Sequence, residues 1–181
     1  MEVKEDEKYL MFFLEDEYYG LPILKVNEII GLMEITTIPK TPDFMKGVIN
    51  LRGKIIPVMD LRLKFNMPER AYDEQTCIII VEIPIHGKTQ FVGLVVDKVA
   101  EVVNILHSDI ESPPQYGQDA DSGFLTGIGK VKEKVVMLLD IQLIINCHEV
   151  INFVMNTSED IEDTGNTEVI EPTKEVKKDR S

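Results

Sequence analysis

Catalysis needs a nucleophile beside a base, a set of metal ligands or a cradle for phosphate, and each has a recognisable spacing. The sequence supplies none of them. His86, His107 and His148 are scattered over an expected loop, a strand end and a helix. They make no HxH or HExxH pair and stand in no Cys/His cluster, so no metal site is expected. His148, on an apolar helical stretch, reads as a satisfied core histidine. Cys77 lies within CIIIVEI and Cys147 on a mostly apolar helical stretch. Both read as buried thiols, acting as small hydrophobes rather than as a redox pair. GFLTGIGK at residues 123–130 looks like a glycine loop, but its glycines read as strand-edge and turn positions. With no GxGxxG, GxxxxGK[ST] or GxSxG, no catalytic residue and no cofactor are expected.

One group is left. GVINLRGKIIPVMDLRLKF, residues 47–65, has the pattern of a buried hairpin, yet Asn50-Leu51-Arg52-Gly53 forms its tip. A guanidinium there offers a planar fork of five donors, suited to a carboxylate or a cluster of carbonyls. Spacing alone favours a simple solvated turn residue at Arg52.

The chain that must position this fork has 181 residues, 44% of them hydrophobic, enough for one domain or two small packed subdomains. Its formal net charge of −13 repels phosphate backbones and gains nothing from an anionic leaflet, so neither nucleic acid nor direct membrane insertion is expected. The acidic N-terminus lacks the apolar stretch of a signal peptide, and no apolar run approaches the roughly 18 residues of a spanning helix. A soluble, cytoplasmic protein is the expectation.

Strand-length apolar runs such as KYLMFFLE, KIIPVMDL, CIIIVEI and KVVMLLDI dominate, broken by Gly, Pro, Asp or Lys, which predicts a mainly all-β sandwich or barrel. A late helix is predicted over 140–155, capped by Asp140, with Ile141, Ile144, Ile145, His148 and Ile151 on one face. Beyond about Asn156 the apolar density collapses, and 157–181 reads as a disordered acidic tail.

An internal repeat organises the rest. GLPILKVNEII from Gly20 lies over GLVVDKVAEVV from Gly93, matching Gly20 with Gly93, Lys25 with Lys98, Val26 with Val99 and Glu28 with Glu101. FMKGVINLRGKIIPVMDL from Phe44 lies over FLTGIGKVKEKVVMLLDI from Phe124, matching Gly47 with Gly127 and Asp60 with Asp140. A period of roughly 75 to 80 residues is too long for a solenoid and suits a five-stranded barrel occurring twice. The module is expected over 8–155, with two pseudo-symmetric barrel copies roughly interleaved around 8–75 and 76–140. The copies differ at the hairpin tip, where the second has Lys130-Val131-Lys132-Glu133.

Four segments, KYLMFFLEDEYYGLPILKVNEIIG, TPDFMKGVINLRGKIIPVMDLRLKF, FVGLVVDKVAEVV and FLTGIGK, together resemble the chemotaxis coupling protein family, CheW, over about residues 8–149. The resemblance implies two five-stranded SH3-like barrels and no enzymatic activity. It implies a signalling scaffold that tethers the chemotaxis histidine kinase, CheA, through its regulatory domain to the cytoplasmic tips of methyl-accepting chemoreceptors, with the receptor tip in a groove between barrels. It also implies recruitment to membrane receptor arrays, in which kinase and coupling protein pack end to end in rings. The positions matching the family's receptor-coupling set are Val26, Glu28, Ile29, Lys46, Gly47 and Arg52, and those matching its kinase contacts are Val99 and Val102. Glu28 is expected to orient Arg52, and Gly47 and Gly53 to let another backbone approach. The same module occurs in CheV-type adaptors and as the kinase's regulatory domain, so a fragment of either is an alternative. A double barrel binding a small ligand is another.

Overall fold

A computed structural model describes residues 6–113, 123–146 and 148–164. Eleven strands are seen among them: β1 Glu7–Leu14, β2 Glu17–Pro22, β3 Val26–Gly31, β4 Met45–Leu51, β5 Lys54–Asp60, β6 Cys77–Ile85, β7 Lys88–Val96, β8 Lys98–Ile105, β9 Ile110–Glu111, β10 Leu125–Val131 and β11 Lys134–Leu139. The helices are α1 Leu61–Lys64, α2 Ile141–Ile145 and α3 His148–Thr164. The strands form two sheets, ordered β8-β1-β2-β11-β10-β9 and β3-β6-β7-β5-β4. These are two SH3-like barrels, here barrel I and barrel II; the sixth strand of barrel I, β9, has only two residues.

The repeat is real in three dimensions, but a repeat copy is not a barrel. The first copy supplies β1 to β5 and the second β6 to β11. Barrel I takes β1 and β2 from the first copy and β8 to β11 from the second, and barrel II takes the complementary set. The boundary between barrels therefore falls at the turn Ile23–Lys25 and again at Asp97, not near residue 75 as expected. The parallel pairings that seal the exchange match: Gly20 of β2 lies beside Leu138 of β11, and Gly93 of β7 beside Val58 of β5. A Cβ on Gly20 would stand 3.0 Å from the Leu138 side chain, and one on Gly93 2.9 Å from Ile78 and 3.3 Å from Val58. Both glycines are thus small because a neighbouring strand packs over them. The register shifts at Met45/Gly47 and at Leu125/Gly127 also correspond. So do the bonds from the Asp60 N–H to Phe44 O (2.8 Å) and from the Asp140 N–H to Phe124 O (2.9 Å).

The exchange explains why KYLMFFL and CIIIVEI are continuously apolar rather than alternating. A strand covered on both faces has no solvent side. Tyr9 and Met11 fill barrel I, while Leu10, Phe12 and Leu14 enter a core shared by the barrels. Ile78 and Ile80 fill barrel II, while Ile79, Val81 and Ile83 enter the shared core. Phe65 stacks between Tyr19 (6.0 Å between ring centroids) and Phe124 (4.3 Å) in that joint.

The helical end differs from expectation. Asp140 does cap the helix, accepting the Leu143 N–H at 3.2 Å, but α2 stops at Asn146 and α3 restarts at His148 in a new phase. Val150 and Val154, one turn apart, are buried. Ile151 is only half-buried, and His148 is exposed, its Nδ1 3.0 Å from Asn152 Nδ2, so it is no core histidine. The helix also runs on to Thr164, beyond the predicted start of a tail at residue 157; the remainder of that expected tail, from residue 165, lies outside the described residues. Cys77 opens β6 half-buried and lies 3.3 Å from Gln75 O, rather than fully buried; Cys147 is outside the described residues.

Candidate functional site

The β4–β5 hairpin closes through Arg52 at φ 51° and Gly53 at φ 86°. Two successive positive φ values are the pattern of a type I′ turn, whose twist matches that of the flanking strands. Asn50 Oδ1 accepts the Gly53 N–H at 3.0 Å and steadies the turn. Arg52 Nη2 donates to Glu28 Oε1 on β3, as expected, pinning one arm of the fork. The Arg52 side chain is nevertheless 71% exposed, against 27% for Glu28. Its other donors face outward beside a recess of about 210 Å³ lined by Leu51, Lys54, Ile80 and Phe91. Lys54 Nζ stands 4.8 Å from the centre of the Phe91 ring. The arrangement is a pre-aimed cation on an apolar shelf, suited to a carboxylate or carbonyls of a macromolecular surface.

The other residues of the expected receptor set are dispersed through barrel II. Val26 is half-buried and packs against the shared core. Ile29 is 42% exposed but belongs to the strand face opposite Glu28, as alternation along β3 dictates. Lys46 lies at the far end of the hairpin, paired with Glu69 at 3.3 Å. Gly47 is buried at φ +136°, and a Cβ there would lie 2.0 Å from Thr36 O. The backbone that Gly47 admits is therefore the chain's own: Thr36 and Val48 exchange hydrogen bonds of 2.8 and 2.9 Å. A Cβ on Gly53 would meet nothing within 4 Å, so that glycine owes its identity to the turn.

The expected kinase positions sit elsewhere, on β8 of barrel I. Val102 is 49% exposed, whereas Val99 is half-buried against the shared core. β3 and β8 correspond in the repeat, and each stands first in the order of its sheet. The β3 members of the expected receptor set, Val26, Glu28 and Ile29, and the expected kinase positions thus occupy equivalent strands of different barrels.

Sequence reading missed a second cation in the same motif. Arg62 on α1 is buried and fully engaged: Nη1 donates to Asp97 Oδ2 at 2.6 Å, Nη2 to Glu15 Oε1 at 3.0 Å and Nε to Pro68 O at 3.1 Å. The available cue was an arginine embedded in DLRLKF. Its partners lie at a turn and a crossover distant in sequence, which no local pattern reveals. Asp60, also buried, accepts the Arg62 N–H at 2.9 Å and the Tyr72 hydroxyl at 2.8 Å. Burial, then the bond to Asp60, raises the Tyr72 phenol far above its usual range.

At the end of barrel I a cavity of about 450 Å³ is lined by Tyr9, Lys25, His107, Thr126 and Asp140. Burial, then the charge of Glu7 and the 3.0 Å bond to it, pushes the Tyr9 pKa up to about 12. Among the described residues no group of three or more His, Cys, Asp or Glu could hold a metal, and no helix is long and apolar enough to cross a membrane.

Residues 8–149 match the family model of the CheW-like domain. The chain is 40% identical over 143 residues to the chemotaxis protein CheW of Klebsiella aerogenes, covering 79% of this chain and 84% of that protein. It is 31% identical over 138 residues to CheW of Helicobacter pylori, covering 76% and 81%. The crystal structure of the scaffolding protein TtCheW from Thermoanaerobacter tengcongensis superposes with a TM-score of 0.70 at 39% identity, covering 80% of this chain and 96% of that one.

Proposed function

The chain belongs to the CheW-like domain family, and on that premise we propose that it couples the cytoplasmic tips of chemoreceptors to the regulatory domain of the chemotaxis histidine kinase. It does so as a scaffold, without a catalytic step of its own, in the cytoplasm at membrane receptor arrays. Barrel II reads the receptor through Arg52, Glu28 and the neighbouring β3 edge with Val26 and Ile29, and Lys46 and Gly47 shape the hairpin behind them. Barrel I reads the kinase through β8, with Val102 as the exposed contact and Val99 beneath it. The observation that carries this reading is the Arg52 fork. It is oriented by Glu28 yet left 71% exposed, which wastes an ordered guanidinium unless a partner uses it.

The test is reconstitution. Purified chain, kinase and a receptor signalling fragment are mixed, and kinase autophosphorylation is followed with each component omitted in turn. Receptor-dependent activation that requires this chain supports the reading; activation indifferent to it overturns it. Phosphotransfer or ATP hydrolysis by the chain alone, above a buffer blank, would overturn the absence of catalysis. The barrel I cavity favours a second reading, a small-ligand module. A thermal-shift screen against metabolites separates the two, because a scaffold shifts only with its protein partners.

A further inference from the structure

The residues assigned to the receptor lie in barrel II and those assigned to the kinase in barrel I, so control passing from the first set to the second crosses the joint between barrels. Most of that joint is apolar. Apolar burial is non-directional and tolerates small rotations of one body on another. A buried guanidinium held at three points does not.

Arg62 sits on α1, directly after β5 of barrel II. Glu15 lies in the β1–β2 turn of barrel I, at φ 56°. Asp97 is the single residue between β7 of barrel II and β8 of barrel I. Its Oδ2 accepts both from Arg62 and from the Glu15 N–H, at 2.7 Å, while its own N–H donates to Phe13 O at 3.1 Å. The Arg62 and Asp97 side chains are 7% and 10% exposed. The crossover into β8 is thereby tied to both barrels at once. Among the described residues the other crossover, Ile23–Lys25, has no such polar tie: Ile23 packs against the shared core, Leu24 is 88% exposed, and none of the three residues is buried. Copy two offers no counterpart either, since the position matching Arg62 is Gln142, which donates to Pro84 O instead.

We propose that the Arg62–Asp97–Glu15 cluster is a positioning device that fixes one barrel against the other, and that through this joint a receptor on barrel II controls a kinase on barrel I. It rests on the partner assignment above and adds the route of control. The side-chain partners of Arg62, namely Pro68, Asp97 and Glu15, lie outside both proposed docking edges.

The experiment uses Arg62→Lys, which keeps the charge but cannot hold three partners in one plane. Spin labels at Lys88→Cys in β7 and Lys132→Cys in the barrel I turn, both exposed positions, report the distance between barrels, with Cys77 and Cys147 replaced by serine. The expected result has three parts. The distance distribution broadens about twofold, the affinities for receptor fragment alone and kinase regulatory domain alone stay within about threefold, and receptor-dependent kinase activation falls at least fivefold. An unchanged distribution overturns the proposal, as does full activation despite a broadened one. Loss of either binary affinity beyond threefold overturns it too, because Arg62 would then act on docking itself. If Arg62→Lys does not fold, the double variant Arg62→Met, Asp97→Leu removes both buried charges together and is judged by the same criteria. If the unsubstituted chain binds neither partner, the proposed function fails, and the distance distribution still decides whether the cluster fixes the barrels.

Discussion

Replacing Arg52 by glycine separates folding from recognition. Three terms decide the stability of the variant. A non-glycine residue in the left-handed region costs about 1–2 kcal/mol, and Arg52 stands there at φ 51°. Glycine removes that cost but widens the unfolded ensemble, which takes back roughly 0.4–1 kcal/mol. The Glu28 pair is lost as well; with Arg52 71% exposed, it contributes about 0.2–1 kcal/mol. The terms cancel to within about 1 kcal/mol, so the melting temperature of Arg52→Gly stays within a few degrees of wild type. Binding has no such compensation. Removing one member of a charge pair buried at an interface costs about 2–5 kcal/mol, or at least about 30-fold in affinity. Titration calorimetry with a receptor signalling fragment, beside a melting curve, reads both quantities. Arg52→Lys recovers part of the affinity, since an ammonium cannot reproduce the fork. Arg52→Glu loses more than glycine by adding repulsion. Lys132→Glu, the matching turn of barrel I at φ 56°, leaves receptor affinity within about threefold. A folded Arg52→Gly that binds within threefold of wild type would refute the reasoning and return Arg52 to the status of a solvated turn residue.

Gly47→Ala should destabilise the fold by about 3 kcal/mol or more, because its Cβ collides with Thr36 O at a φ of +136°. A urea melt checks this against Gly31→Ala, where nothing lies within 4 Å and the expected change is under about 1 kcal/mol. The Tyr9 phenol has its pKa raised in the folded state, so the fold binds more protons than the unfolded chain in alkali. The corresponding stability is fully present below pH 10 and is lost between pH 10 and about 12. Absorbance of phenolate at 295 nm and melting curves across that window should show it, and Tyr9→Phe should remove only the share that Tyr9 carries, since the Tyr19 and Tyr72 phenols are raised by burial as well. Removing the chain after Asn156 should shift the melting temperature by only a few degrees, because Val150 and Val154, which enter the shared core, precede the cut and the apolar density of the sequence falls beyond it. Val154→Ala, by contrast, should cost about 2 kcal/mol.

The two barrels were legible because their signal is local and doubled. Gly20 and Gly93, Gly47 and Gly127, and Asp60 and Asp140 each meet the same steric or capping demand twice. The boundary between barrels was not legible. Sequence order assigns β1 to β5 to one unit, whereas strand pairing between copies decides which sheet each strand joins, and that pairing is non-local. The break between α2 and α3 escaped for a related reason. Ile141, Ile144, Ile145, His148 and Ile151 fit one helical stripe, but the shared core takes Val150 and Val154, and the helix restarts in their phase. At the site, the Arg52–Glu28 pair was foreseen, because the two residues lie on a turn and a strand that the family pattern joins. The cluster around Arg62 was not, because Glu15 and Asp97 carry no motif.

The exchange of strands between copies bears on function as well as on fold. Had each copy closed its own barrel, β3, β4 and β5 would still share one barrel, but the chain would cross between barrels once; with the exchange it crosses twice, at Ile23–Lys25 and at Asp97. In either case β3, β4 and β5 stay together, so Glu28 and Arg52 meet within one barrel. β8, the counterpart of β3, goes to barrel I and carries Val102 there. The repeat thus presents equivalent strands on two barrels, with different residues at each hairpin tip: Arg52-Gly53 in one, Lys132-Glu133 in the other. A scaffold that must hold two unlike partners at once needs two edges that do not compete, and a joint stiff enough to keep them in register. Under the proposed function the chain meets the first need by duplication, and the second by burying one guanidinium at a crossover that the exchange created.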